Sequence, residues 1–145
     1  MGESVVLPFL RTIAAKNIDM LVISHGDNDH IGGSESLLKK LNILTIKTSV
    51  PEKIFTNKTD YYLIGMSWEW DDVNFSFIYP SRLNLTLGND SSCVLRINNN
   101  AHTVILPGDV EKYAEKNLVN QFATFLKSDI LIAPHHGSKT SGVKE

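Results

Sequence analysis

At 145 residues, 42% hydrophobic and 21% charged, the chain suits one soluble globular domain with a core of its own. No apolar run approaches the ~18 residues of a membrane span and no signal-peptide pattern opens the chain. A formal charge of -2 gives no basic footprint for nucleic acid, and the single cysteine, Cys93, excludes an internal disulfide framework.

The elements alternate along the chain. Val6, Leu10 and Ile13 lie three to four apart, and Phe9 widens the stripe, so residues 3–16 read as an amphipathic helix. Pro8 sits awkwardly if that helix begins much before Val5. Residues 17–19 break it, and residues 20–24 form a short buried strand. Ser34 can cap a second helix whose apolar positions are Leu37, Leu38 and Leu41. A strand over residues 43–48 and a polar loop over residues 51–60 follow. Residues 67–70 and 73–79, joined by Asp71-Asp72, read as a β-hairpin. Residues 92–97 and 103–106 make a second hairpin around Asn98-Asn99-Asn100, with Cys93 as a small buried residue in its first strand. The longest helix spans residues 110–126, with Tyr113, Leu118, Phe122 and Leu126 near one face. Residues 129–133 are the last strand.

The polar residues capable of chemistry fall just beyond strands. His25, Asp27, Asp29 and His30 follow the first strand, Asp109 follows residues 103–106, and His135 and His136 follow the last. Four of the five histidines thus share one topological position, and strand ends of an α/β layer form a rim where ligands bind. His102 lies in a turn and reads as merely exposed. In a tight loop alternate residues project to one side, so His25 and Asp27 can meet one ion while Asp29 and His30 reach a second. Gly32 and Gly33 let the backbone pass closely into the next helix. An ordinary polar loop remains the competing reading of this stretch alone.

The stretch His25-Gly26-Asp27-Asn28-Asp29-His30-Ile31-Gly32-Gly33, the Gly108-Asp109 pair and the Pro134-His135-His136-Gly137-Ser138 segment, in that order, resemble the metallo-β-lactamase superfamily. The signature there is His-x-His-x-Asp-His. An aspartate in its third place, followed by Ile-Gly-Gly, is similar to the β-lactamase-like domain of the ComEC competence proteins. Residues 65–73, which include Trp68-Glu69-Trp70-Asp71-Asp72-Val73, resemble that branch's Gly-x-x-Trp-x-Trp-Asp-Gly-Val segment. The resemblance implies an α/β fold, an α+β four-layer αββα sandwich of the metallo-β-lactamase type. It also implies an incomplete excerpt of one domain over residues 1–145, because family members begin with a strand pair and close with further layers beyond residues 142–145.

From the resemblance follow two divalent ions, zinc or manganese with magnesium as a further choice, about 3.5–4 Å apart and acidifying a shared water. His25 and Asp27 serve the first ion, with Asn89 as a further candidate where thioesterase-like relatives carry a histidine. Asp29, His30 and one of His135 or His136 serve the second, with His135 favoured, and Asp109 bridges them. Asn89 and Asp27 make the first site oxygen-rich, which favours manganese or magnesium relative to zinc; Asn89 also reads as part of a turn cluster. Asp29, Asp109 and His136 are the candidate catalytic residues. Ser138 either binds a phosphate oxygen or steadies its loop.

The function implied is a phosphodiesterase acting on the DNA strand that is not taken up. Its partners would be DNA and the rest of a membrane channel protein, on the extracytoplasmic side of the cytoplasmic membrane. The alternatives are a metal-binding or DNA-guiding module with little turnover, and a hydrolase of small esters or lactams. An excerpt with open sheet edges is expected to bind metal poorly, to hydrolyse DNA weakly and to pair with another copy.

Overall fold

The computed structural model describes residues 2–142, so the expectation that rested on residues 143–145 lies outside the described residues. The chain divides into two compact units, the first ending at Tyr61 and the second starting at Tyr62.

In the first unit a π-helical turn, Gly2–Val6, runs into α1 (Leu7–Thr12). The expected single helix over residues 3–16 is therefore shorter and changes pitch. Pro8 has no N–H to donate and stands in the opening turn of α1, where an α-helix tolerates it. Ala14, at φ 53°, ends the run before Lys16. The expected apolar stripe is displaced too: Leu7 is buried, whereas Phe9 and Ile13 are exposed.

A three-stranded parallel sheet follows, β1 (Asn17–Ile23), β2 (Asn42–Thr48) and β3 (Thr59–Tyr61), in the order β1-β2-β3. β1 begins three residues earlier than its apolar run, because Asn17 and Ile18 pair with Asn42 and Ile43. β3 falls in the stretch expected to be a loop. It has no apolar period, and Lys47 and Asp60 pin it to β2 through an ion pair of 2.7 Å. Between β1 and β2 lie a single turn, α2 (Asn28–Ile31), and α3 (Ser34–Lys40). Ser34 does not cap α3: Gly33 holds the N-cap position, and Ser34 Oγ donates to Ile31 O at 2.7 Å. Leu7, Ile23, Leu37, Ile43, Ile46 and Ile54 form this unit's core.

The second unit carries a five-stranded sheet in the order β4-β5-β6-β7-β8. β4 (Ser67–Trp70) and β5 (Val73–Tyr79) make the expected hairpin, with Trp70 opposite Val73. Asp71 and Asp72 both have positive φ, 49° and 62°, as the mirror-image turn of a two-residue hairpin requires. β6 (Val94–Asn98) and β7 (Thr103–Leu106) form the second hairpin, and Cys93, just before β6, is buried as expected. α4 (Lys112–Phe122) then leads to β8 (Ile130–Leu131), parallel to β7.

α4 is shorter than expected because residue 111 is extended at its N-cap and residues 123–126 tighten into a 3-10 turn. Its buried residues are Ala114 and Leu118, while Tyr113 points to solvent. β8 is shorter than the expected strand over residues 129–133, and Ile130, Leu131 and Ile132 are all more than half exposed. As the edge strand it pairs on one side only. Ile78, Val94, Ile105, Val110, Ala114 and Leu118 lie in the core. Among the described residues, no helix is long and apolar enough to cross a membrane.

Candidate metal centre

In the first unit the chain leaves β1 at Ile23 and enters the polar stretch through Ser24. Asp27 is extended at the N-cap of α2, and its carbonyl accepts from His30 N at 3.0 Å and Ile31 N at 2.9 Å. Aspartate is among the strongest capping residues, yet this one makes no side-chain capping bond. Its Oδ2 stands 3.6 Å from His25 Nε2 instead. Beyond Asn28, Asp29 and His30 repeat the arrangement, with His30 Nε2 3.5 Å from Asp29 Oδ2. Both separations exceed an ordinary hydrogen bond. Two donors on one tetrahedral zinc, each at about 2.0–2.1 Å, stand about 3.4 Å apart. Each His–Asp pair therefore has the spacing of two ligands on one ion.

The imidazoles of His25 and His30 lie 4.2 Å apart at their centroids. Ser24 Oγ reaches both, at 3.2 Å from His25 Nδ1 and 2.8 Å from His30 Nδ1. A neutral imidazole that ligates through Nε2 carries its proton on Nδ1, and the partner of that proton fixes the ring. A hydroxyl oxygen has two acceptor lone pairs. Ser24 can thus accept from both rings and leave both Nε2 atoms to ligate. Sequence reasoning passed over Ser24, although it heads the same motif.

His25 is 1% exposed, whereas the Asp27 and Asp29 side chains are 60% exposed. The imidazole is thus fixed by packing while the carboxylates remain accessible from solvent. A Cβ on Gly32 would stand 2.4 Å from Asn28 O, so the turn out of α2 leaves no room for a side chain there.

The second unit holds the other expected donors. Asp109 follows β7, is 4% exposed, and donates its N–H to Ser92 Oγ at 3.1 Å. His135 and His136 occupy consecutive left-handed positions, φ 45° and 52°. Each such position costs a non-glycine residue about 1–3 kcal/mol and persists only where the surroundings impose it. Here His135 N donates to Gly108 O, Ser138 N to His135 O, and the Ser141 hydroxyl lies within reach of Pro134 O and Ser138 O. The result brings His135 Nε2 to 3.9 Å and His136 Nε2 to 3.6 Å from Asp109 Oδ2.

The two rings differ in their support. His135 Nδ1 lies 3.1 Å from Glu111 Oε1 and 3.0 Å from Thr140 Oγ1, whereas the His136 side chain is 69% exposed. Glu111 Oε1 also accepts from Asn89 Nδ2 at 3.1 Å. That amide, then the Thr140 hydroxyl and His135, holds the Glu111 carboxyl below the usual carboxylate range. A carboxylate on the far nitrogen of a ligating histidine sets its tautomer and raises its basicity. Glu111 is so placed on His135, and sequence reasoning missed it because only the fold brings residues 111 and 135 together. The Ser138 hydroxyl is 3.1 Å from Thr140 Oγ1 and helps to close this loop. Away from the donors, His102 is exposed as expected and lies 3.8 Å from Asp129.

A family model described as the metallo-beta-lactamase superfamily matches residues 2–145. The chain belongs to the metallo-beta-lactamase superfamily. It is 31% identical to "Competence protein ComA" of Neisseria gonorrhoeae over 97% of its own length and 20% of that protein. It is 31% identical to "Recombination protein 2" of Haemophilus influenzae, covering 97% of this chain and 17% of that one. "ComE operon protein 3" of Bacillus subtilis is also 31% identical, covering 100% of this chain and 20% of that protein. The chain thus spans about a fifth of the length of these relatives. Among solved structures, the metallo-beta-lactamase fold protein YhfI of Bacillus subtilis matches 87% of this chain and 53% of that chain. The TM-score is 0.53 at 16% identity, a likeness of fold. A mixed α/β metallo-beta-lactamase fold is therefore the architecture of this superfamily member.

Proposed function

We propose that this chain is a metal-dependent phosphodiesterase domain that degrades DNA, and that it belongs to a DNA-uptake protein of the membrane. The carrying observation is the doubled His–Asp pair, 3.6 Å for His25/Asp27 and 3.5 Å for His30/Asp29. Superfamily membership and relatives named as competence proteins support the same reading. In it, the donors after β1 and those after β7 and β8 are metal ligands.

The assignment of roles follows the donor chemistry. His25 and Asp27 would hold one ion, Asp29, His30 and His135 would hold the other, and Asp109 would serve both. Divalent ions, when bound, supply Lewis acidity and lower the pKa of a water. Glu111 fixes the His135 ring, and the exposed His136 would move a proton at the leaving oxygen. Manganese or zinc fits the mixed imidazole and carboxylate donors. The whole protein's role would be removal of the strand that does not enter, on the outer side of the cytoplasmic membrane and next to a channel.

A second reading is a metal-binding or DNA-guiding module with little turnover. It draws on Asn89, whose amide is committed to Glu111 and which offers no imidazole to the first ion. Incubation of the purified chain with labelled single- and double-stranded DNA, in chelator and then in Mn²⁺, Zn²⁺ or Mg²⁺, separates the two. The hydrolase reading expects cleavage that needs added metal and disappears in Asp29→Ala. Metal binding without cleavage in any of the three would leave the module.

A further inference from the structure

The loop between β2 and β3 carries features that the metal centre does not use. Ile54 is 5% exposed and packs into the first unit's core, whereas its neighbour Phe55 is 99% exposed. Thr56 N donates to Ile54 O at 2.8 Å, a tight turn that has Phe55 at its apex. The backbone thus anchors one apolar side chain inward and displays the next. Phe55 lines a cleft of about 620 Å³ together with Gly26, Asn28, Leu38, Lys39 and Lys53. Two of these, Gly26 and Asn28, belong to the His25–His30 donor loop.

Lys53 ties the cleft to that loop. Its Nζ donates to Gly26 O at 3.2 Å, and a Cβ on Gly26 would stand 2.8 Å from the same nitrogen. An ammonium has three donors, so Lys53 keeps others for a ligand. Lys39 is matched by Glu35 at 2.6 Å, which leaves Lys53 as the cleft's surplus positive charge in a chain of net charge -2. An exposed aromatic face, a lysine and a neighbouring candidate metal loop match the requirements of an unstacked nucleotide. The base has a π-face to stack and its phosphate a cation to meet.

We propose that Phe55 and Lys53 form a nucleotide-docking site for single-stranded DNA, with a base stacked on Phe55 and the adjoining phosphate on Lys53. This rests on the phosphodiesterase reading and specifies its substrate as an unpaired strand. In duplex DNA the bases are already stacked on one another and cannot reach Phe55.

The test is fluorescence anisotropy of a labelled oligothymidine with the whole chain in chelator, so that binding is read without cleavage. Phe55→Ala, at a fully exposed position, is expected to weaken binding about tenfold. Phe55→Trp should keep the affinity, with its emission quenched on binding. Lys53→Ala should flatten the salt dependence of binding by about one phosphate contact. Binding of Phe55→Ala equal to wild type overturns the proposal, as does equal preference for a duplex of the same length. Loss of binding to anionic phosphatidylglycerol vesicles, with oligonucleotide binding kept, would assign Phe55 to a membrane and overturn it too. Wild-type protein that binds no oligonucleotide also refutes it. Metal-dependent hydrolysis of bis-p-nitrophenyl phosphate by the wild-type protein tests the hydrolase reading separately, since that diester has no base to stack.

Discussion

At the residue scale, the Ser24 hydroxyl and the Glu111 carboxylate steady the imidazoles of the candidate donors. Histidine and aspartate at alternate positions after an apolar run carry a chemical meaning that spacing alone can express. Ser24 and Glu111 gain theirs only from the contacts that folding creates, one hydroxyl between two imidazoles and one carboxylate behind a third. Removing the partner of a ligating histidine typically costs 10–100-fold in metal affinity. Ser24→Ala is therefore expected to weaken zinc or manganese binding by about that factor, with the circular dichroism spectrum unchanged. Ser24→Thr, which keeps the hydroxyl, should restore it. Equilibrium dialysis with metal analysis reads both. The same assay separates the adjacent histidines. His135→Ala should lose bound metal because Glu111 braces that ring, while His136→Ala should keep metal and lose turnover. The opposite pattern would exchange their roles.

At the element scale, legibility followed the strength of the local signal. The hairpin of β4 and β5 was legible to the residue, because alternating aromatic positions flank a two-residue turn. β3 was not, since three residues with no apolar period join the sheet only through β2. The helix ends were misplaced for a related reason. Asp90 Oδ1 accepts from Glu111 N at 2.7 Å and Ala114 N at 3.3 Å, so the cap of α4 comes from a residue 21 positions earlier. Asp90→Ala is expected to lower unfolding stability by about 1–2 kcal/mol, the worth of a good cap, measured by urea denaturation. Asp72, at φ 62°, holds a turn position that glycine adopts without steric cost. Asp72→Gly should accordingly raise stability by about 0.5–1 kcal/mol in the same measurement. Cys93 offers a probe of the second unit's core: burial pushes its thiol up to about 12. The protonated thiol is a poor nucleophile. It should resist Ellman's reagent at pH 8 in the native protein and react at once in urea, and rapid reaction of the native protein would show the strand to be open.

At the scale of the whole molecule, the family was legible because its motifs keep their order along the chain, and the superfamily match over residues 2–145 agrees. The division into two compact units was not legible. Hydropathy patterns report which residues are buried, not which buried residues pack with one another. The proposed ligands follow β1, β7 and β8, and the assignment requires each of them for metal binding. The measurement that tests this most directly is native mass spectrometry of the chain at saturating Mn²⁺ or Zn²⁺, alongside His30→Ala and Asp109→Ala. The assignment predicts uptake of two ions by the wild-type chain at saturating metal and weaker uptake in each variant. Wild-type protein that takes up no ion, or an Asp109→Ala protein that still holds two as tightly, would contradict it.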